Sequence, residues 1–345
     1  MAKIRILSPV KQNPNRYSQA HRKAISVEHH LKVSNLNKSI LIILMSFAIY
    51  SCNNEDMPEN IQIPEAPVNL IIPSPVIIGQ ENEGCVANII FLAEGFTDSE
   101  MTEFINLCDI AKQAILDMEP FASATNSLNF YRVNSPSITS GIKTKQYTSV
   151  CNGTTGITTS SQTPWAVFGN NLGLERLPGM EPEQRNKLEE LFGNYATGDY
   201  VYTIIIANTM SYYGGAEFPG VTDYNTIIEP KVSNMIVSKF DSSDGFKFLV
   251  RHEFGHSFGN LDDEYEDIVS DCAMKELLGA LPETPKLNVL TYNPGSWFEG
   301  ARYVPTGYWR EWENSIMRND YYSTTFSPKQ REVVNQRLAD AIGCP

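Results

Sequence analysis

Short apolar runs separated by segments of helical spacing occupy the middle of the chain, and this pattern predicts an α/β domain. A continuous apolar run of about four to eight residues is typical of a strand whose two faces are both covered. Three segments predict strands, of which the first and the last are such runs: Val86–Leu92 (VANIIFL), Phe130–Val133 and Val201–Ala207 (VYTIIIA). The last of these is the strongest strand signal in the sequence.

Three segments have the apolar spacing of helices. The first follows a T-x-x-E capping box at Thr97–Glu100 and should run to about Asp117. A polar helix is predicted over 181–193, and a third helix over 244–258 with Asp244 as its cap. Between the first two helices, residues 134–163 are rich in Ser, Thr and Gly, which predicts a long surface loop of the kind that is often functional.

The amino terminus has the pattern of a targeting segment. Residues 39–50 form an apolar run that is shorter than the roughly 20 residues of a membrane-spanning helix, which suits the core of a signal peptide. The run ends just before Cys52 in a sequence that resembles a bacterial lipobox, whose cysteine becomes lipidated. The alternative is a cleaved secretory signal with an incidental Cys52. We therefore predict an exported lipoprotein, anchored to the outer membrane or cell surface.

These features divide the chain into a lipoprotein signal peptide over 1–51, a proline-rich tether over 52–80 and a folded domain over 81–345. Five prolines between residues 53 and 80 favour an extended tether. The apolar pieces VNLII (68–72) and VIIG (76–79) could instead add a strand to the edge of the domain.

Charge and cysteine spacing exclude two classes of site. The formal charge is −13, and residues 1–51 hold eight of the 27 basic residues but one of the 40 acidic residues, so the remainder carries −20. A chain this acidic will not bind nucleic acid through a phosphate-neutralising surface. Beyond Cys52, five widely spaced cysteines contain no C-x-x-C pair, which excludes a zinc ribbon or a thioredoxin-type site.

The candidate chemistry lies in the third predicted helix, where residues 252–256 read HEFGH. Side chains four apart on a helix project from one face, so His252 and His256 can bind a single tetrahedral Zn²⁺. Glu253 could then act as general base towards a water activated by the metal. No other histidine follows residue 51, which makes the motif more specific. The alternative is a helix with two surface histidines.

The longer strings around this motif carry a family resemblance. HEFGHSFGNLDDEY (252–265), NIIFLAEGFT (88–97) and ENSIMR (313–318) resemble the IgA-peptidase family of bacterial metzincins, over about residues 85–340. The resemblance implies a metzincin-like α/β (α+β) catalytic domain with a mixed twisted sheet, the active-site helix over 244–258 and one zinc ion per chain. It also implies a Met-turn beneath the metal, with Met317 as the turn residue.

The third metal ligand is left open by the residues, because without a further histidine it must be a carboxylate or a weaker group. General metzincin spacing selects Asp262, three residues after Gly259, whereas the spacing of the IgA-peptidase family selects Asp263. Glu264 is a third choice. Asp263 is preferred because it belongs to the longer matching string.

Two further features concern the substrate. Many metzincins have a tyrosine two residues after the Met-turn methionine that stabilises the oxyanion, but this position is Asn319 here. That role is vacant or falls to one of three tyrosines: Tyr265, Tyr321 and Tyr322. The piece SYYGGA (211–216) is either a plain turn or a segment that pairs with extended substrate, as peptides commonly pair with proteases.

The predicted function is that of a zinc metalloendopeptidase, an enzyme that hydrolyses peptide bonds of secreted or host proteins, with immunoglobulin A as a candidate substrate. A surface lipoprotein that binds host protein or glycan, with a zinc site of little activity, is the alternative from another class. Hydrolysis of amide or ester bonds in small molecules is the second enzymatic alternative. The expected partners are a protein or peptide substrate and a membrane reached through the lipid anchor.

Overall fold

The structure is a computed structural model. It describes the residues in the following ranges: 70–145, 158–159, 163–165, 167–170, 178–180, 182–210, 214–217, 231–240, 242–266, 284–318 and 323–342. The predicted signal peptide, Cys52 and most of the predicted tether lie outside the described residues. Within those ranges, no helix combines the length and the apolar character needed to cross a membrane.

The strands are β1 Val76–Ile77, β2 Ala87–Glu94, β3 Leu128–Val133, β4 Lys143–Lys145, β5 Thr158–Thr159, β6 Phe168–Asn170, β7 Pro178–Gly179, β8 Val201–Ala207, β9 Gly214–Glu217, β10 Val232–Ser238, β11 Val289–Leu290, β12 Phe298–Ala301 and β13 Val304–Arg310. The α-helices are α1 Met101–Leu116, α2 Pro182–Phe192, α3 Ser243–Ser257 and α4 Pro328–Ile342.

A mixed six-stranded sheet forms the centre of the fold, with the strand order β1-β3-β2-β8-β10-β9. The four inner strands are parallel, and the antiparallel strands β1 and β9 form the two edges. Strands β2 and β8 are buried along their whole length, as continuous apolar runs in a parallel sheet require. The three predicted strands are thereby confirmed, and the piece VIIG contributes β1.

Helices cover both faces of this sheet. On one face α1, α3 and α4 pack over side chains that include Phe91, Ile204 and Val237. On the other face α2 and the segment around Trp165 pack against Ile205. Because successive side chains of a strand point to opposite faces, neighbouring residues of β8 belong to different layers. The predicted mixed α/β architecture is present, with α3 lying against the sheet.

The predicted helices are present, with one correction to their ends. The Thr97–Glu100 capping box opens a short 3₁₀ helix that leads into α1. The prediction of Asp244 as the cap of α3 is wrong. The cap is Ser242, whose backbone is extended and whose Oγ accepts a hydrogen bond from Gly245 N at 3.1 Å. Asp244 lies in the first turn, where its charge still complements the helix dipole.

Two segments that read as loops contain strands. The 134–163 segment includes β4 and β5, which belong to a sheet with the order β5-β4-β6-β7. Residues 214–217 of the glycine-containing segment form β9, while 211–213 lie outside the described residues. A third sheet, β11-β13-β12, is antiparallel and follows the candidate site in the chain.

Among the cysteines, Cys85 is disulfide-bonded, and Cys108 is a buried free thiol on α1. Burial raises the pKa of Cys108 well above its ordinary value, so this thiol acts as an apolar side chain. Three cysteines lie outside the described part of the chain: Cys151, Cys272 and Cys344.

Candidate metal centre

Helix α3 is fixed to the core by its aromatic residues. Phe121 contacts Phe254 and Phe258 edge-on, with ring centroids 5.1 and 5.0 Å apart, and each of these side chains is fully buried. Edge-to-face aromatic pairs of this kind add to the free energy gained from area burial. The rotation of the helix about its axis is thereby set, and His252 and His256 lie one turn apart with ring centroids separated by 4.9 Å.

The chain reverses directly after α3. Leu261 N donates to Gly255 O at 3.2 Å, and Asn260 N donates to His256 O at 3.0 Å. The left-handed residue of this turn is Asn260, with φ 50°. Gly259 is needed for space, because a Cβ at this position would lie 2.8 Å from Gly255 O.

This reversal brings an aspartate to the two histidines. The Nε2 atoms of His252 and His256 lie 3.0 and 3.1 Å from the same atom, Asp263 Oδ1. The three side chains form the one group in the described residues whose candidate metal-ligand atoms all lie within 4.8 Å of one another. Ligands about 2.0–2.2 Å from a tetrahedral zinc ion are separated by roughly 3.3 Å, so the two Nε2–Oδ1 distances fit a metal after shifts of a few tenths of an ångström.

The second nitrogen of each ring shows which tautomer is present. His252 Nδ1 lies 2.9 Å from Ile316 O, and His256 Nδ1 lies 2.7 Å from Leu261 O. A carbonyl oxygen can only accept, so both Nδ1 atoms must carry the proton. In the neutral rings each Nε2 atom is then unprotonated, and its lone pair is directed at a carboxylate oxygen. Backbone carbonyls hold metal-binding histidines in this way, and the donor set therefore fits a cation.

The charges in this cluster are strongly coupled. Burial lowers the pKa of His252, but the hydrogen bond and charge of Asp263 outweigh this effect and raise the pKa to about 9. Burial acts on Asp263 in the opposite direction, yet the two imidazoles hold the pKa of its carboxyl far below the ordinary value. Asp263 is therefore ionised and needs positive charge beside it, which protons or a metal ion can supply.

Glu253 lies between the histidines in sequence and faces strand β9. The carboxylate is buried, and Gly214 passes so close that a Cβ on this residue would lie 2.2 Å from Glu253 Oε1. Burial raises the pKa of Glu253, while the charges of His252 and His256 lower it. A raised pKa suits a group that takes up a proton during a reaction.

The other two candidate ligands are directed away from the histidines. Asp262 Oδ2 accepts a hydrogen bond from Lys286 N at 2.8 Å and lies 3.3 Å from Arg302 Nε. Glu264 accepts hydrogen bonds from Asn288 Nδ2 at 3.0 Å and from Ser315 Oγ at 2.8 Å. Both carboxylates are thus used to hold the turn, whereas Asp263 alone of the three meets His252 and His256.

Met317 lies beneath the same cluster, in a 3₁₀ helix over Ile316–Arg318. Its side chain is fully buried and packs on Gly255, where an added Cβ would lie 2.4 Å from Met317 Sδ. The backbone of this segment also contributes, because Glu264 N donates to Met317 O at 2.8 Å. The segment therefore supports both α3 and the turn that carries Asp263.

Sequence reasoning missed Tyr303, whose hydroxyl donates a hydrogen bond to Asp263 Oδ2. No local motif marks this residue, which lies 40 positions after its partner. Of the tyrosines proposed for the oxyanion, Tyr265 lies near His252 with ring centroids 6.0 Å apart. Tyr321, Tyr322 and Asn319 lie outside the described residues.

Comparison with known proteins agrees with this geometry. The family model described as IgA Peptidase M64 matches residues 82–295, which is more than half of the chain. No curated protein matches the sequence. The matched range contains β2, the whole of α3 and the turn to Asp263, and it ends before Tyr303 and Met317. The family that the longer strings suggested is the one that residues 82–295 match, and the chain belongs to the IgA peptidase M64 family of metallopeptidases.

Proposed function

We propose that this protein is a zinc-dependent metalloendopeptidase in which His252, His256 and Asp263 hold one Zn²⁺ per chain. The observation that carries the proposal is the convergence of both histidine Nε2 atoms on Asp263 Oδ1. Because both Nδ1 protons are directed at backbone carbonyls, these Nε2 lone pairs and the carboxylate form an acceptor set suited to a metal ion. Two imidazoles and one carboxylate, with a fourth position left for water, are a common ligand set of catalytic zinc.

Glu253 is the residue we assign to proton transfer. Bound zinc would act as a Lewis acid that activates a water and polarises the scissile carbonyl. Glu253 accepts the proton of the attacking water and delivers it to the leaving amine. Its buried position beside Gly214 keeps the carboxylate in one place, and its raised pKa favours uptake of the proton.

Strand β9 is the proposed binding site for extended substrate. It is the last strand of the main sheet, and Gly214 lies directly against Glu253. An edge strand offers backbone N–H and C=O groups to an added peptide strand. A peptide on this edge would run past the catalytic carboxylate, which favours protein or peptide substrates over small molecules.

The proposal also covers the role of Met317, the attachment to the membrane and the substrate. Met317 would serve as the Met-turn residue, acting through packing and its backbone carbonyl. Cys52 would carry a lipid that anchors the exported protein at the outer membrane or cell surface. Host immunoglobulin A, or a similar hinge-bearing glycoprotein, is the proposed substrate because of the family to which the chain belongs.

The test compares the zinc-loaded protein with its Glu253→Ala variant. Both are incubated with a panel of proteins that includes immunoglobulin A, and new amino termini are mapped by mass spectrometry. Cuts made by the wild-type protein alone would support the proposed mechanism, provided that the variant retains one zinc per chain. Cutting by Glu253→Ala would overturn the role of that residue. No cuts by a zinc-loaded wild type would favour a binding lipoprotein.

The ligand set is tested separately. Asp262→Ala and Asp263→Ala are compared by the amount of zinc that remains bound per chain. We expect Asp263→Ala to lose zinc and Asp262→Ala to retain it. Zinc retained by both variants would place the third ligand elsewhere.

A further inference from the structure

The turn that joins β12 to β13 has an unusual backbone. Its two central residues, Arg302 and Tyr303, have φ of 52° and 68°. Two-residue hairpin turns with positive φ at both positions favour Asn-Gly or similar pairs, because a bulky side chain is strained in this conformation. Contacts made elsewhere must therefore stabilise this turn, since its own residues do not favour it.

Those contacts are with the two adjacent aspartates. Arg302 Nε lies 3.3 Å from Asp262 Oδ2, and the Tyr303 hydroxyl donates to Asp263 Oδ2. The backbone is bound as well, because Arg302 N donates to Asp263 O and Tyr303 N donates to Tyr265 O, both at 3.0 Å. One turn thus contacts each aspartate through a different side chain.

The Tyr303 contact determines which oxygen of Asp263 is available to a metal. With Oδ2 accepting from the phenol, Oδ1 is the oxygen that faces the Nε2 atoms of His252 and His256. The ring of Tyr303 is itself fixed by an edge-on contact with Tyr265, whose centroid is 5.0 Å away. The carboxylate therefore has a fixed rotation before any metal binds.

The Arg302 contact acts on the competing aspartate. Arg302 Nε forms an ion pair with Asp262 Oδ2, and Lys286 N donates a hydrogen bond to the same oxygen. The Arg302 guanidinium lies over the ring of Tyr308, 5.0 Å from its centre. The side chains of Arg302 and Asp262 are almost completely buried, and removing a buried charge from its partner is costly. Asp262 is thereby kept out of the cluster.

We propose that Tyr303 is a positioning residue that orients Asp263 for the metal, while Arg302 holds Asp262 away, so that this turn selects between the two aspartates. The inference rests on the proposed zinc centre and adds the residues that determine its third ligand. Neither residue lies within the range matched by the family model, which ends at residue 295.

The test uses the full-length protein, its Tyr303→Phe variant and a matched control, Tyr131→Phe. The control also removes a phenol hydroxyl bonded to a carboxylate, since Tyr131 donates to Glu81 Oε1 at 2.7 Å in another part of the fold. Zinc affinity is measured by competition with a chelator, and the visible spectrum of the Co²⁺-substituted protein reports the ligand geometry. Thermal unfolding confirms that each variant is folded.

We expect Tyr303→Phe to weaken zinc binding about 10–100-fold, the usual effect of removing a partner of a metal ligand, and to change the Co²⁺ spectrum. Tyr131→Phe should change neither property. In an Asp263→Asn background, Tyr303→Phe should add no further loss, because its effect passes through the carboxylate. Unchanged affinity and spectrum in Tyr303→Phe would overturn this inference alone. A wild-type protein that binds no zinc would overturn the proposed zinc centre as well.

Discussion

Replacing Gly214 by alanine should impair catalysis without removing the metal. The added Cβ would lie 2.2 Å from Glu253 Oε1 and 2.8 Å from Leu249 Cδ1. Strand β9 cannot easily withdraw, because Gly214 pairs with Val237 in the antiparallel ladder with β10. The Glu253 carboxylate must therefore move by roughly 1 Å to reach ordinary van der Waals contact.

A displacement of this size is large for a catalytic group. Misplacement by about 1 Å can cost roughly 100-fold in rate, which corresponds to about 2.7 kcal/mol of transition-state stabilisation. We expect kcat/KM of Gly214→Ala to fall by about that factor, with one zinc still bound per chain. The assay follows hydrolysis of a peptide that spans a bond cleaved in the protein panel, and zinc is measured by mass spectrometry.

Gly215→Ala is the matched control. Successive residues of a strand point to opposite faces, so a side chain at position 215 points away from Glu253 while the backbone change is the same. Gly215 pairs with Ile236 in the same ladder. The reasoning would be refuted if Gly214→Ala were as active as this control, or if both variants lost activity equally.

Three other perturbations test the fold and the centre. Gly255→Ala should be destabilising by about 1–3 kcal/mol through overpacking on Met317 Sδ. Adding Met317→Ala should relieve this clash. If the two substitutions changed the free energy of unfolding additively within about 0.5 kcal/mol, the contact would be contradicted. Burial raises the pKa of Glu94 from 4.5 to about 7. The folded state therefore binds the carboxyl proton of Glu94 more tightly than the unfolded state does. The resulting gain in the free energy of unfolding is fully present below pH 4.5 and is lost as the pH rises through 7, by about 3 kcal/mol at most. Urea unfolding of Glu94→Gln should lack this loss, and a pH dependence identical to that of the wild type would refute it. Removing zinc with a chelator should lower the melting temperature, because a ligand present at about 1,000 times its Kd stabilises the folded state by about 4 kcal/mol. An unchanged melting temperature would contradict metal binding by the folded state.

Elements that rest on local pattern could be predicted from the sequence. Val201–Ala207 was predicted with its observed ends, because seven apolar or β-favouring residues between polar neighbours suit a buried parallel strand. Strand β9 could not be recognised, since Gly214 and Gly215 have low strand propensity and read as a turn. They form a strand because the edge of β10 supplies their hydrogen bonds and because glycine alone leaves room for Glu253.

The third ligand shows a different limit. Asp262 and Asp263 are adjacent and chemically identical, so spacing rules gave two answers. In the structure the two side chains are distinguished by Lys286, Arg302 and Tyr303, which lie at least 23 positions away in sequence. Contacts between residues so distant in the chain depend on the fold as a whole, and the helix periodicity that located His252 contains no information about them.

The three acids at 262–264 also help to separate a metal centre from a structural polar cluster. Glu264 is fully buried, and its two oxygens accept from an amide and a hydroxyl, which gives each acceptor a donor. Asp262 is likewise matched, by the charge of Arg302 and by a hydrogen bond from Lys286 N. At Asp263 one oxygen is matched by a phenol, but the other faces two Nε2 atoms whose rings have their protons on Nδ1. Acceptors facing acceptors in a buried site repel unless a proton or a cation lies between them. Polar groups that serve structure alone are matched with donors, as the two neighbouring acids are. Asp263 Oδ1 is matched only when His252 takes up a second proton, as its pKa of about 9 indicates, or when a cation replaces that proton, which is what a metal-binding role predicts.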